Sequence, residues 1–179
     1  MAPAQTSLLA KLDTQERVRD FLTNAVASGR ASHAYLFLGA PGAGKLDAAW
    51  ALAQAFLCEQ DGCGSCDSCV RVARHTHPDV HYYTPESATG YLIAQTRELL
   101  DDVPLAPIRA KAKVYIIDRA EQLRANTANA LLKTLEEPPE GVMFILLGTS
   151  ADVMLPTIVS RCHCLLYTSP SPRDVEESR

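Results

Sequence analysis

Short apolar runs alternate along the chain with segments whose apolar residues recur every three or four positions. Continuous apolar runs are typical of strands buried on both faces, and the three-to-four spacing is typical of helices. The first pattern predicts strands at 34–38, 79–83, 113–118 and 142–148. The second predicts helices between Asp13 and Gly29 and at 48–56, 93–103 and 126–136. Strands that alternate with helices predict an α/β fold, with a mostly parallel sheet covered by helices.

Local signals support the helix boundaries. Asp13 is placed to cap the first helix, and Glu16, three residues later, is placed to close a capping box. Gly29 ends the same periodic run, and Pro138 and Pro139 stop the last predicted helix.

The segment 39–45, GAPGAGK, has the spacing of a phosphate-binding loop. A strand precedes it and a helix follows, so its backbone N–H groups can face an anion at a helix N-terminus. The alternative is a glycine-rich connection without a ligand. The predicted phosphate-binding residues are Gly39, Pro41, Gly42, Gly44 and Lys45.

Leu46 occupies the position at which this motif has the serine or threonine hydroxyl that binds Mg²⁺. Leucine has no oxygen to offer. Asp118 ends the predicted strand 113–118 and is placed to orient a metal-bound water, but Arg119 follows it and stays protonated, so it cannot act as a base. We therefore expect poor ATP hydrolysis or none, with ATP binding weak or absent.

The second candidate site is a cysteine cluster with the spacing C-x4-C-x2-C-x2-C. Four thiolates complete a tetrahedral zinc site and leave no open position, so the predicted zinc is structural. The alternative is four free buried thiols. The predicted ligands are Cys58, Cys63, Cys66 and Cys69. The neighbouring histidines are interpreted as surface or core residues, and the two late cysteines as ordinary strand residues: His75, His77, His81, Cys162 and Cys164.

The chain has 179 residues and a formal net charge of -4. An acidic chain cannot coat DNA phosphates by bulk charge, so contact with nucleic acid must be local or made through partners. No apolar stretch approaches the roughly 20 residues of a membrane span, and no secretory signal is evident. With a cysteine cluster suited to a reducing compartment, these features predict a cytoplasmic protein without membrane partners.

The segment 167–179, YTSPSPRDVEESR, differs from the rest of the chain because it is rich in Ser, Pro and charge and lacks an apolar period. One interpretation is a flexible tail. We favour a non-native tail of translated adapter sequence joined to a truncated gene.

Five segments, taken together and in order, resemble the clamp loader subunits of bacterial DNA polymerase III. The similarity spans residues 13 to about 166, with the cysteine cluster inserted between the first two segments. They are SHAYLFLGAPGAGK (32–45), THPDV (76–80), KVYIIDRAEQL (113–123), NTANALLKTLEEPP (126–139) and TIVSRC (157–162).

This resemblance implies an AAA+ P-loop NTPase-like fold and a place in a heteropentameric ring that opens the sliding clamp and loads it onto primed DNA. Its motor subunit, gamma/tau, has Thr or Ser after the loop lysine and an Asp-Glu pair. Leu46 and Arg119 depart from both features, so the chain looks like the delta-prime stator, without intrinsic catalysis. The alternatives are a truncated gamma/tau motor with active ATP hydrolysis and a stand-alone zinc-dependent nucleic-acid binder.

The resemblance also implies roles for two residues outside the loop. Arg161, in the SRC motif, corresponds to the arginine finger that acts in trans on ATP bound by a neighbouring subunit; the alternative is a surface arginine. Thr149 corresponds to a polar sensor near the γ-phosphate. The expected partners are gamma/tau, delta, the sliding clamp and primed DNA. Residues 1–166 are expected to form the AAA+ N-terminal domain, with the family's lid and collar domains absent.

Overall fold

The computed structural model describes residues 7–12 and 15–168. Its centre is a five-stranded sheet in the order β2-β3-β4-β1-β5, in which every paired strand is parallel. The strands are β1 (Ala34–Gly39), β2 (Val80–Tyr83), β3 (Lys113–Ile117), β4 (Val142–Gly148) and β5 (His163–Tyr167). The helices are α1 (Glu16–Ala27), α2 (Lys45–Leu57), α3 (Asp67–Ala73), α4 (Ile93–Asp102), α5 (Ala125–Glu136) and α6 (Pro156–Val159).

All the predicted strands and helices are present, and their boundaries agree to within a few residues. The N-terminus of α1 differs from the prediction, because Gln15 is the N-cap and Glu16 is the first helical residue, whereas a capping box needs Glu16 at the third helical position. Asp13, the predicted cap, lies outside the described residues. Helices α3 and α6 were not predicted from the sequence. Each is shorter than two full helical turns, which is too short for apolar residues to show a helical period.

The last strand, β5, lies at one edge of the sheet and pairs with β1. Cys164 lies in β5 as predicted, whereas Cys162 lies one residue before it. Tyr167, the first residue of the predicted tail, ends this strand and is buried. The remainder of that segment from 169 onward lies outside the described residues.

The central strands are apolar throughout because both faces of the sheet are covered. Alternate residues of β1 enter different cores: Tyr35 and Phe37 pack on the side of α1 and α2, and Leu36 and Leu38 pack on the side of α4 and α5. Strands β3 and β4 alternate in the same way. This packing fixes where each strand ends along the sheet, and it therefore fixes the positions of the loops that follow the strands.

Asp79, just before β2, anchors the loop that leads into β3. Its fully buried carboxylate accepts hydrogen bonds from the backbone N–H groups of Ile108 (2.5 Å), Arg109 (2.7 Å) and Ala110 (2.8 Å). Burial alone would raise the pKa of Asp79, but these donors outweigh it and lower that pKa below its ordinary value. The charged form is therefore the one that stabilises the fold.

We expect Asp79→Asn to lower the free energy of unfolding at pH 7 by about 2–3 kcal/mol, because a neutral amide accepts these hydrogen bonds more weakly. A depressed pKa contributes stability above its unfolded value, near 3.8, and that stability is lost as pH falls through the folded value. Urea titrations at pH 7 and at successively lower pH should therefore show the difference between the two proteins shrinking below about pH 4.

The matched control is Asp101→Asn, since Asp101 is an exposed carboxylate on α4. It should change stability by less than about 0.5 kcal/mol at any pH. A difference between wild type and Asp79→Asn that stays constant down to pH 3 would contradict the assigned role of the charge.

Candidate functional site

The loop between β1 and α2 has the backbone of an anion-binding turn. Gly42 and Gly44 have φ angles of +80° and +86°, in the left-handed region that glycine adopts without strain. Gly44 is also the N-cap of α2, so the unpaired N–H groups of this 13-residue helix face the loop. The predicted strand, loop and helix are therefore all present in the required order.

A cavity of about 630 Å³ opens in front of this loop, at the edge where β1, β3 and β4 end. It brings together every residue predicted for nucleotide binding except Gly39: Pro41, Gly42, Gly44, Lys45, Asp118 and Thr149. Gly39 lies behind the loop, and its carbonyl accepts a hydrogen bond from Lys45 Nζ. Distant parts of the sequence thus form one site.

Lys45 is folded back onto the loop. Its Nζ donates to the backbone carbonyls of Gly39 and Ala40, the second at 3.0 Å. Burial lowers the pKa of Lys45, while the negative charges of Glu121 and then Asp118 oppose that change. An incoming anion must therefore draw the ammonium away from two carbonyl oxygens.

The residues at the two positions that the sequence analysis singled out, Leu46 and Arg119, make contacts of their own. Leu46 lines the cavity but packs against the core, and it carries no metal-binding oxygen. Arg119 has a φ of +46°, and its guanidinium donates to Thr84 Oγ1 at 3.1 Å. Asp118 Oδ2 accepts a hydrogen bond from the Tyr82 hydroxyl at 3.1 Å. Arg119, the residue directly after Asp118, cannot act as a base.

Glu121 is a cavity residue that the sequence analysis missed. It lies in the 3₁₀ turn Ala120–Gln122, directly after β3, and its Oε1 accepts from Thr149 Oγ1 at 3.4 Å. Within the described part of the chain, its Oε2 is buried without a hydrogen-bond partner. The only available signal was an acidic residue three positions after Asp118, and the unpredicted turn is what directs it inward.

The cysteine cluster forms a compact set of sulfur atoms. The Sγ atoms of Cys58, Cys63, Cys66 and Cys69 all lie within 4.8 Å of one another. The Cys58–Cys66 and Cys63–Cys69 sulfur separations are 3.8 and 3.9 Å. Tetrahedral bonds of about 2.3 Å to zinc place sulfurs about 3.8 Å apart, so the four ligands fit this ion.

Backbone N–H groups point at these sulfurs and favour their thiolate form. Cys66 N donates to Cys63 Sγ, and Cys69 N donates to Cys66 Sγ, each at 3.4 Å. Hydrogen bonds from the backbone and hydroxyl of Ser65 lower the pKa of Cys63 to about 6, whereas burial raises the pKa of Cys69. The positive charge of a bound zinc ion would stabilise the negative charges of the buried thiolates.

The nearby histidines make contacts outside the cysteine cluster. His75 stacks on Trp50 with ring centroids 3.9 Å apart, and His77 Nδ1 accepts from Asp79 N at 3.1 Å. His81 Nε2 lies 3.3 Å from Asp102 Oδ2. Among the described residues, the group of possible metal ligands contains the four cysteines alone.

Arg161 does not line the cavity of its own chain, and it follows Ser160, the C-cap of α6. Its Nε donates to Glu136 Oε1 at 2.8 Å, and its Nη1 donates to the Thr157 carbonyl at 2.9 Å. The side chain remains one-third exposed. The guanidinium is thus held by contacts with Glu136 and Thr157, and it is not among the residues that line the cavity.

No helical segment in the described residues combines the length and apolar character needed to cross a bilayer.

Comparison with known proteins identifies related sequences across nearly the whole chain. The sequence profile of the family described as DNA polymerase III, delta subunit, matches residues 14–170. The DNA polymerase III subunit delta' of Bacillus subtilis is 39% identical over 168 residues, which cover 92% of this chain and 51% of that protein. The tau subunit of Escherichia coli is 43% identical over 169 residues, which cover 92% of this chain and 26% of that protein. The chain therefore spans about half or less of the length of these relatives.

Solved structures share the fold. A DNA polymerase III gamma subunit-related protein from Thermotoga maritima aligns with a TM-score of 0.59 and 20% identity over 88% of this chain and 47% of its own. The RuvB Holliday junction branch migration motor of the same organism aligns with a TM-score of 0.56 and 18% identity over 93% of this chain and 48% of its own. At these identities, the similarity establishes the expected AAA+ architecture and nothing further.

We predict that the purified chain binds one equivalent of zinc through the cysteine cluster. Cys63→Ser should weaken zinc affinity by at least about a hundredfold, because a hydroxyl does not replace a thiolate ligand. Chelation should lower the thermal midpoint of the wild type by about 5 °C or more. Native mass spectrometry and thermal melts with and without chelator measure both effects.

Cys164→Ser serves as the control, because Cys164 is an exposed cysteine away from the cluster. It should retain the metal and the chelator response. Four free thiols in metal-supplemented wild type, with no change on chelation, would contradict the zinc assignment.

Proposed function

Because the chain belongs to the DNA polymerase III delta subunit family, we propose that it acts as a delta-prime-type stator of the clamp loader. In this role it supplies Arg161 to ATP bound by a neighbouring gamma/tau subunit and helps to load the sliding clamp onto primed DNA. The proposal depends above all on one observation: the cavity retains a phosphate-binding backbone but has Leu46 and Arg119 where hydrolysis needs an oxygen ligand and a base.

The composition of the cavity supports a subunit without its own ATPase cycle. Lys45 and the N-terminus of α2 are suited to hold phosphates, so weak nucleotide binding is compatible with the site. Mg²⁺ loses its protein hydroxyl at Leu46, and Arg119 cannot position an attacking water. Nucleotide here would have a structural or regulatory role.

The position of Arg161 supports action on another subunit. Its guanidinium is one-third exposed and does not line the cavity of its own chain, and Glu136 and the Thr157 carbonyl fix its orientation. A positioned guanidinium stabilises the charge that develops on a transferring phosphoryl group. The ATP would therefore belong to the adjacent gamma/tau subunit, with delta and the clamp as further partners of the complex.

The zinc module and the domain assignment complete the proposal. Zinc held by Cys58, Cys63, Cys66 and Cys69 would stabilise the insertion without taking part in catalysis, because four thiolates fill its coordination. Residues 1–166 would form the N-terminal AAA+ domain, and Tyr167, which ends β5 in the core, would belong to it as well.

A gamma/tau motor is the second candidate, because the Escherichia coli tau subunit matches the chain at 43% identity. Leu46 and Arg119 count against it, since a motor needs both the metal ligand and the catalytic base. A motor should bind Mg-ATP tightly and hydrolyse it, whereas the stator should bind it weakly or not at all and should not hydrolyse it.

Arg161→Ala in the full-length parent subunit should reduce ATP turnover at the neighbouring site by about a hundredfold or more while the complex still assembles. The measurement is clamp- and DNA-stimulated ATP hydrolysis by the complete clamp loader, with assembly checked by size exclusion. Arg161→Lys should recover only a small part of the rate, because lysine lacks the planar fork of donors.

Arg74→Ala provides a matched control, since Arg74 is exposed at the end of α3 and makes no side-chain contact in the proposed site. Its turnover should equal that of the wild type. Equal turnover by the Arg161→Ala complex would reject the role in trans.

Leu46→Thr should increase the affinity for ATP about tenfold in the presence of Mg²⁺ and leave it nearly unchanged in EDTA, because the hydroxyl acts through the metal. Hydrolysis should remain absent, since Arg119 is unchanged. Isothermal titration of the purified chain measures the affinity, and Leu46→Ala separates the effect of the hydroxyl from that of reduced bulk. Tight Mg-ATP binding and turnover by the wild type would favour the motor instead.

A further inference from the structure

Glu121 is brought into the nucleotide cavity by the turn after β3. The 3₁₀ turn Ala120–Gln122 reverses the chain, so that the Glu121 side chain reaches the end of β4. A Cβ added at Gly148 would lie 3.4 Å from Glu121 Oε2, so the carboxylate packs directly on that strand end. It therefore lies between the two strand ends, β3 and β4, that border the cavity.

The carboxylate of Glu121 lacks a strong partner within the described residues. Oε2 is buried without a hydrogen bond, and Oε1 has only the long contact of 3.4 Å with Thr149 Oγ1. Lys45 does not neutralise it, because its Nζ donates to the backbone carbonyls of Gly39 and Ala40. The cavity thus contains a carboxylate that is partly shielded from water and not paired with a cation.

Glu121 is also close to the cation that would bind a phosphate. Glu121 and Lys45 line the same cavity, and although burial lowers the pKa of Lys45, the charge of the Glu121 carboxylate opposes that change. An anion bound by Lys45 and Thr149 would therefore meet the Glu121 carboxylate.

The charges around the cavity reinforce this arrangement. The acidic lining residues are Asp47, Asp118 and Glu121, and the basic ones are Lys45 and Arg119. The Arg119 guanidinium is engaged with a threonine hydroxyl of the β2–α4 connection. A polyphosphate thus enters a cavity whose formal charge is already negative, and like charges at such short range repel strongly.

We infer that Glu121 is a specificity-determining residue of this cavity, whose carboxylate competes with the terminal phosphates of a nucleoside triphosphate for Lys45 and Thr149. This inference rests on the proposed function, in which the cavity binds nucleotide weakly. It adds a cause of weak binding that is independent of Leu46, because repulsion between carboxylate and phosphate needs no metal.

The test is the binding of ATP and ADP to the purified chain by isothermal titration, in EDTA and in Mg²⁺. Glu121→Gln preserves the size of the side chain and removes its charge. It should bind ATP at least about tenfold more tightly than the wild type, in EDTA as well as in Mg²⁺. ADP should gain less, because it lacks the outermost phosphate, and added salt should reduce the difference for both.

Glu140→Gln is the matched control, since Glu140 is an exposed glutamate in the turn before β4, and its affinity should equal that of the wild type. Glu121→Ala provides a second charge-removing variant and should also bind ATP more tightly. The inference is overturned if neither Glu121 variant binds ATP more tightly than the wild type, including the case in which none of the proteins binds detectably.

Weaker Mg-ATP binding by Glu121→Gln would also overturn it, by showing that the carboxylate assists the metal. The proposed function fails by a different result, which is tight Mg-ATP binding and turnover by the wild type. The ratio of the ATP affinities of the Glu121 variants and the wild type therefore tests the inference. The ATP affinity and turnover of the wild type itself test the proposed function.

Discussion

Parallel pairing of three neighbouring strands, β3, β4 and β1, is the constraint on which the site depends. Because parallel strands end at the same edge of a sheet, the segments that follow them meet there, although they are far apart in sequence. The glycine-rich loop follows β1, Asp118 follows β3, and Thr149 follows β4. The apolar cores on both faces hold these strands in register and so maintain the geometry of the cavity.

The cavity combines features that favour anion binding with features that oppose it. The left-handed glycines and the N-terminus of α2 orient N–H groups toward a phosphate, and Lys45 supplies a positive charge. Leu46 offers no metal ligand, and Glu121 adds a negative charge that has no cationic partner among residues 7–12 and 15–168. In the function proposed here, such a balance suits a subunit whose contribution to ATP hydrolysis is made at another subunit's site.

The proposed arginine finger and the cysteine module lie on separate parts of the chain from the cavity. Arg161 is held by Glu136 at the end of α5, so its orientation depends on the packing of α5 and α6. The module is linked to the sheet by Arg109, which donates to Asp67 at 3.0 Å, while Asp79 holds the backbone of the same loop. These contacts give each region its own local support.

The sequence alone determined strands β1 to β4, helices α1, α2, α4 and α5, and the positions of the two site motifs, because their signals are local. Continuous apolar runs define buried strands. The glycines of the phosphate-binding loop and the cysteines of the cluster each lie within a few residues of one another, so both motifs can be recognised from the sequence. The tertiary structure alone decided the strand order, the inward position of Glu121, the pairing of Arg161 with Glu136 and the burial of Asp79. Each of these depends on contacts between segments distant in sequence or on a short turn, and neither leaves a periodic pattern along the chain.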